Sequence, residues 1–242
     1  MGERLRVDKV LSHMGIASRR DVKAMVRGRR IVVNGSFVTD AGQHVDSTDD
    51  EILVDGELVV YQPFIYLMMN KPQGLVSATE DKVQPVVVDI LDARDRATNP
   101  FPVGRLDIDT EGLLLLTNDG QLAHQLLSPK KHVPKTYFAR IAGVCTEDDV
   151  AAFRRGVTLE DGYLTQPAEL VIEATSAATS HIRVTIYEGK FHQVKRMFTA
   201  VDKEVTYLKR LSMGLLSLDE TLALGHYRHL TAAEVESLHT GG

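Results

Sequence analysis

Between Pro102 and Gly120 the chain reads PVGRLDIDTEGLLLLTNDG, and its acids are the first groups whose type and spacing suit chemistry. Asp107 and Asp109 stand two residues apart, so in an extended segment both carboxylates point the same way. Gly104 loosens the chain before them, Arg105 adds a cation, and the apolar run Leu113 to Leu116 predicts a buried strand after them. A loop held by a rigid strand is a common seat for catalytic groups. On the residues alone three readings stay open. The two acids could cap backbone amides in an ordinary loop. They could form a metal pair, although no His or Glu cluster stands near them. Or one of them could be a lone nucleophile or base beside Arg105. Tyr137 at a strand start reads as core or rim, and the lone His192 as structural.

The elements that must position these groups follow from periodicity and turn chemistry. Val7, Val10, Leu11 and Met14 recur at helical spacing, and Gly15 supplies a stop. Ser18 starts a second helix with Asp21 three residues on, in the manner of a capping box. Val22, Met25 and Val26 form its apolar face, with Arg19, Arg20, Lys23, Arg27 and Arg30 mostly off that face. Asn34-Gly35 and Asp55-Gly56, each between short apolar runs, predict two hairpins. Residues 61 to 64 read as a linker. Strands are predicted at Ile65 to Met69, Leu113 to Leu116, Thr136 to Ile141, Ala168 to Ile172, His181 to Tyr187 and Val205 to Leu211. Helices are predicted around Val86 to Leu91 and at Gln121 to Leu127 and Gln193 to Val201. Strands with few helices between them predict an α+β fold with a mixed, largely antiparallel sheet. The expected domains are a small N-terminal module over residues 1–60 and a catalytic domain over 61–242.

Bulk properties narrow the class. A chain that is 43% hydrophobic and 25% charged is ordinary for a soluble globular protein, and the absence of an apolar run of about 18 residues excludes a membrane helix. The charged N-terminus has no signal-peptide core, and the lone Cys145 reads as an idle thiol, so a cytoplasmic location is expected. The net charge of −5 argues against a nucleic-acid partner, but it is uneven: the first thirty residues hold nine basic against three acidic side chains. A local patch of that sign can bind a polyanion. The competing reading is a solvated amphipathic helix face.

Two runs tie these features to known families. RVDKVLSHMGIASRRDVKAMVRGRRIVVNG resembles the S-four-like RNA-binding module, which implies RNA contacts at Arg19, Arg20, Lys23 and Arg27. GRLDIDTEGLLLLTNDG looks like the signature of the RsuA-type pseudouridine synthases. Position by position, the resemblance makes Asp107 the essential aspartate and Arg105 an RNA-holding arginine, and leaves Asp109 at a variable, structural place. Lys135-Thr136-Tyr137 is similar to a motif whose tyrosine stacks on uracil. EGKFHQVKRMF is similar to a third motif, which implies that Lys195 pairs with the aspartate and that Gln193 and Arg196 face RNA. The form FHQVKRMF points to the branch acting on small-subunit ribosomal RNA, naked or in a partly assembled particle. Pro134 and the run Leu211-Ser212-Met213-Gly214 depart from some relatives. The resemblance spans both expected domains.

The implied reaction breaks the C1′–N1 bond of a uridine and rejoins the ring through C5, so it needs neither a donor nor a redox cofactor, and no metal. It needs one ionised carboxylate near C1′, as nucleophile or as base, and a nearby cation favours that charge. The nucleotide must leave its stack, at a cost of a few kcal/mol. Nothing in the sequence calls for more than a monomer. The rivals are a large-subunit RNA target, a non-catalytic ribosome-binding protein, and a glycosidase using Asp109 as its second carboxylate.

Overall fold

The computed structural model describes residues 3–240. Contacts divide the chain into two compact units, the first running to Ile65 and including Leu91–Pro100, the second comprising Tyr66–Ile90 and the chain from Phe101 onward.

In the first unit, helices Val7–His13 and Arg19–Arg27 form as their apolar spacing requires. Gly15 adopts φ +65° after the first helix, and the Ser18 hydroxyl accepts the Asp21 amide at the start of the second. Both predicted hairpins are present, with strand pairs Ile31–Val33/Ser36–Phe37 and Ile52–Val54/Glu57–Leu58. At their tips Asn34, Gly35, Asp55 and Gly56 all have positive φ, as a two-residue turn matched to strand twist demands. A further pair, Arg4–Arg6 with His44–Asp46, forms without a local turn signal because its strands are far apart in the chain. Val7, Val10, Leu11, Val22, Ile31 and Ile52 meet in one core. Each such side chain contributes roughly 1.5–3 kcal/mol on burial.

The second unit is built on a nine-stranded sheet. Its main path runs Glu169–Thr175, Thr179–Ile186, Lys135–Ala142, Glu204–Met213, Glu111–Thr117, Tyr66–Lys71 and Tyr227–His229. Every neighbouring pair is antiparallel except Glu111–Thr117 with Glu204–Met213, which is parallel. The expected mixed, largely antiparallel α+β architecture is therefore the observed one. The run Leu113 to Leu116 is buried throughout, so both faces of this central strand are covered. Leu113 and Leu115 pack with Leu122 and Leu126 of helix Gly120–Leu127, whose N-cap Asp119 accepts the Gln121 and Leu122 amides. Helix Gln193–Thr199 sets Phe198 against Phe153, ring centroids 4.8 Å apart.

Differences from the sequence reading lie where local signals are weak. Val86 to Leu91 forms a single 3₁₀ stretch, Val87–Ile90, and helix Ala93–Ala97 follows under an Asp92 cap. Helices Glu147–Arg155 and Ala232–Thr240 and the edge strand Tyr227–His229 were not foreseen. Among the described residues, no helix is long and apolar enough to cross a membrane.

Candidate active site

The acidic loop enters from strand Phe101–Pro102 and leaves into strand Glu111–Thr117. Its shape is imposed by a side chain to which the sequence reading gave no role. Lys71 closes strand Tyr66–Lys71 and is fully buried. Its ammonium donates to the carbonyls of Pro72 (3.1 Å), Asp107 (3.1 Å), Ile108 (3.4 Å) and Thr110 (3.0 Å). Four acceptors on one cation fold the loop around it. Burial pushes the Lys71 ammonium down to about 8, against the opposing pull of Asp109, Asp107 and Glu111. The Ser77 hydroxyl adds a second clamp, donating to the Leu106 carbonyl and accepting the Leu106 amide.

The clamped loop presents Asp107 to a cavity of about 620 Å³, a volume suited to one nucleotide. Arg105, Lys135, Tyr137, His192 and Arg210 line the same cavity. The Asp107 side chain keeps 24% of its surface exposed, enough to be reached. Lys195, from the first turn of helix Gln193–Thr199, lies 3.3 Å from Asp107 Oδ2. It lies closer still, 2.6 Å, to Asp109 Oδ1. One ammonium is thus shared by two carboxylates, and Asp109, expected to be merely structural, is its nearer partner. Burial works against the Asp109 charge, but the hydrogen bond and charge of Lys195 outweigh it and hold this carboxyl below the ordinary range. His192 Nε2 is 3.6 Å from Asp107 Oδ1, and its ring stacks on Phe191 at 3.7 Å. Its φ of +49° turns the chain sharply before the helix.

Tyr137 is buried on the cavity wall. The register against strand Glu204–Met213 shifts between Thr136 and Tyr137, and such a bulge re-aims the side chain that follows it. Tyr137 pairs with Arg210 across that ladder. Arg210 is 2% exposed, and its Nε donates to the Leu113 carbonyl at 2.7 Å. The strands meet closely here. Gly112 has φ +99°, and a side chain at this position would overlap the Arg210 carbonyl oxygen and come within 2.8 Å of its nitrogen.

Two expected RNA contacts have other partners. Gln193 is buried, donates to Glu188 Oε1 at 2.7 Å and accepts the Lys190 amide at 2.8 Å. Glu188 also accepts the Tyr163 hydroxyl and the Gln166 amide, so Gln193 and Glu188 together hold the 188–193 loop in place. Arg196 is bound to Glu160 at 2.6 Å and Asp161 at 2.5 Å, which neutralises it on the protein itself. Arg105, Arg19, Arg20, Lys23 and Arg27 are exposed. No group of three or more His, Cys, Asp or Glu among the described residues is placed to hold a metal ion.

Comparison with known proteins gives the family of both parts of the chain. Residues 65–200 match the family model described as RNA pseudouridylate synthase, and residues 5–52 match the S4 domain. A Bacillus subtilis protein named as an uncharacterized RNA pseudouridine synthase, YtzG, is 52% identical over 97% of this chain and 98% of its own length. The ribosomal large subunit pseudouridine synthase B of the same organism is 40% identical over 96% and 95%. The ribosomal small subunit pseudouridine synthase A of Escherichia coli is 38% identical over 97% and 100%. A crystal structure of a pseudouridylate synthase, 37% identical, superposes with a TM-score of 0.68 and covers 97% of this chain and 99% of that one.

Proposed function

The chain belongs to the RNA pseudouridylate synthase family, and we propose that it isomerises one uridine of small-subunit ribosomal RNA in the cytoplasm, as a monomer, with Asp107 as the group that acts on the sugar. The observation that carries this role is the placement of Asp107: on the cavity wall with Tyr137, and 3.3 Å from the Lys195 ammonium. Only an ionised carboxylate can attack C1′ or take a proton from the sugar, and the Lys195 ammonium lies within ion-pair distance of that charge. The Tyr137 ring offers a flat face on which a detached uracil turns in its own plane. Arg105 at the rim and the exposed cations of helix Arg19–Arg27 contact phosphates and offset the cost of everting the nucleotide. No atoms are gained or lost overall, so no donor enters the reaction.

The small-subunit target rests on the form FHQVKRMF. The second reading, a large-subunit target, is supported by the 40% identity to a synthase named for that subunit, against 38–39% for those named for the small subunit. Incubation with each transcribed ribosomal RNA in turn, without cofactor, followed by mapping of pseudouridines, separates the two. We expect product in the small-subunit transcript. Asp107→Asn keeps the shape and removes the charge; we expect it to bind that RNA and to make no product. Retained turnover would overturn the assignment. A purely binding role would leave the wild-type protein equally inert.

A further inference from the structure

The floor of the cavity carries positive charge that the carboxylate chemistry does not use. Lys135 and Arg210 both line it. Lys135 stands two residues before Tyr137 on one strand, and Arg210 pairs with Tyr137 on the next. Lys135 gives one hydrogen bond, to the Val133 carbonyl at 2.9 Å. Arg210 gives one from Nε, and its Nη2 is buried with no partner in the protein. No carboxylate among the described residues forms an ion pair with either. A buried guanidinium with an orphaned N–H is costly to keep. Two neighbouring cations without a counter-charge indicate that negative charge arrives with the substrate. A hydrated backbone phosphate does not suit a guanidinium that is 98% buried, whereas the edge of a flat heterocycle does.

We propose that Lys135 and Arg210 bind the uracil carbonyl oxygens and stabilise the negative charge that the ring acquires as the glycosidic bond breaks. This rests on the reading of Asp107 given above. When C1′–N1 cleaves, its electron pair stays on uracil and spreads from N1 onto O2 and O4. The sugar is satisfied either by a bond from the Asp107 carboxylate or by loss of a proton to it. On reattachment C5 bonds to C1′ as the Asp107–C1′ bond breaks, or as the proton held by Asp107 returns to the sugar; the C5 proton then leaves, N1 gains a proton, and the balance is an isomerisation. Donors already desolvated act most strongly on charge that appears only in the transition state. Burial, with the Arg210 charge added, also pushes the Lys135 ammonium down to about 8, so the group is a strong proton donor toward that charge.

The test is the single-turnover rate of N1-glycosidic bond cleavage, at saturating protein, in a small-subunit RNA segment containing the mapped site and in the same segment with 5-fluorouridine at the target, whose C5 carries fluorine in place of the proton that leaves. Fluorine makes the departing ring a more stable anion, so it needs less help. Lys135→Met should lose about 100-fold on uridine and at least tenfold less on 5-fluorouridine, with RNA affinity within about twofold of wild type. Arg210→Lys, which keeps the charge and loses the fork, should show the same bias, its fold checked by thermal unfolding. Equal losses on the two rings, or a loss confined to RNA affinity as phosphate binding would give, overturn the proposal. If Asp107→Asn is inactive in the same assay, that failure touches only Lys135 and Arg210. If it is active, the reading of Asp107 falls as well.

Discussion

The ammonium of Lys195 sits between two carboxylates and favours the one that the family signature leaves variable. Asp109 is 61% exposed and Asp107 24%, so the catalytic candidate is the one a substrate must displace water to reach. Asp109→Asn releases Lys195 to Asp107 alone. We expect turnover to stay within about tenfold of wild type, in contrast to the abolition expected for Asp107→Asn, measured on the same transcript. Lys135 gives a pH signature. Its proton is lost as pH rises through about 8, and the charged and titratable groups that share its cavity are Arg210, Arg105, Asp107, Tyr137, Lys190 and His192. The single-turnover rate should fall above that pH, and the alkaline limb should vanish in Lys135→Met. Asp107 and Lys195 were legible as cavity neighbours because each stands inside a long signature, and Tyr137 because it ends the short run Lys135-Thr136-Tyr137. Arg210 was not, because LKRLS reads as a half-exposed strand, and only the parallel neighbour carrying Gly112 makes that position a buried one.

At the scale of elements, the loop is held from below by a strand that ends in a buried cation. Lys71→Met removes the donor shared by four carbonyls, of which those of Asp107 and Ile108 keep backbone partners in Thr110 and Gly74. The carbonyls of Pro72 and Thr110 lose theirs, at about 1–3 kcal/mol each, less the relief of no longer burying a charge. We expect net destabilisation of about 2 kcal/mol by denaturant unfolding, with a larger proportional loss of turnover. The pH dependence has a definite sign. The folded Lys71 titrates near 8 and the unfolded one at 10.5, so between these values the unfolded chain binds more protons. Stability conferred through Lys71 therefore rises with pH across that window, and wild type should gain on Lys71→Met from about pH 8 to 10.5. Asn70-Lys71-Pro72 reads in the sequence as a strand ending in a polar turn. That the lysine points inward depends on the loop brought back to it 36 residues later, which no local pattern encodes. The two hairpins, by contrast, were fully legible, since Asn-Gly and Asp-Gly specify their own backbone.

For the whole molecule, a chain of net charge −5 approaches a polyanion through local patches. Arg19, Arg20 and Lys23 are exposed on one helix, whose apolar side is committed to the core by Val22, Met25 and Val26. Reversing all three to Glu should weaken RNA binding and make the plot of log affinity against log salt shallower by about 2, with the unfolding midpoint little changed; an unaltered slope would mark the patch as solvated surface. The order in which the second unit's sheet is assembled carries a consequence for the living cell. The acidic loop is made near the middle of the chain, yet the strand that supplies Arg210, and pairs in parallel with the one after the loop, comes a hundred residues later. A nascent polypeptide halted before that strand lacks Arg210 and the parallel partner of strand Glu111–Thr117, so the cavity around Asp107 is incomplete. The carboxylate loop therefore waits on the last third of the chain for the wall it faces.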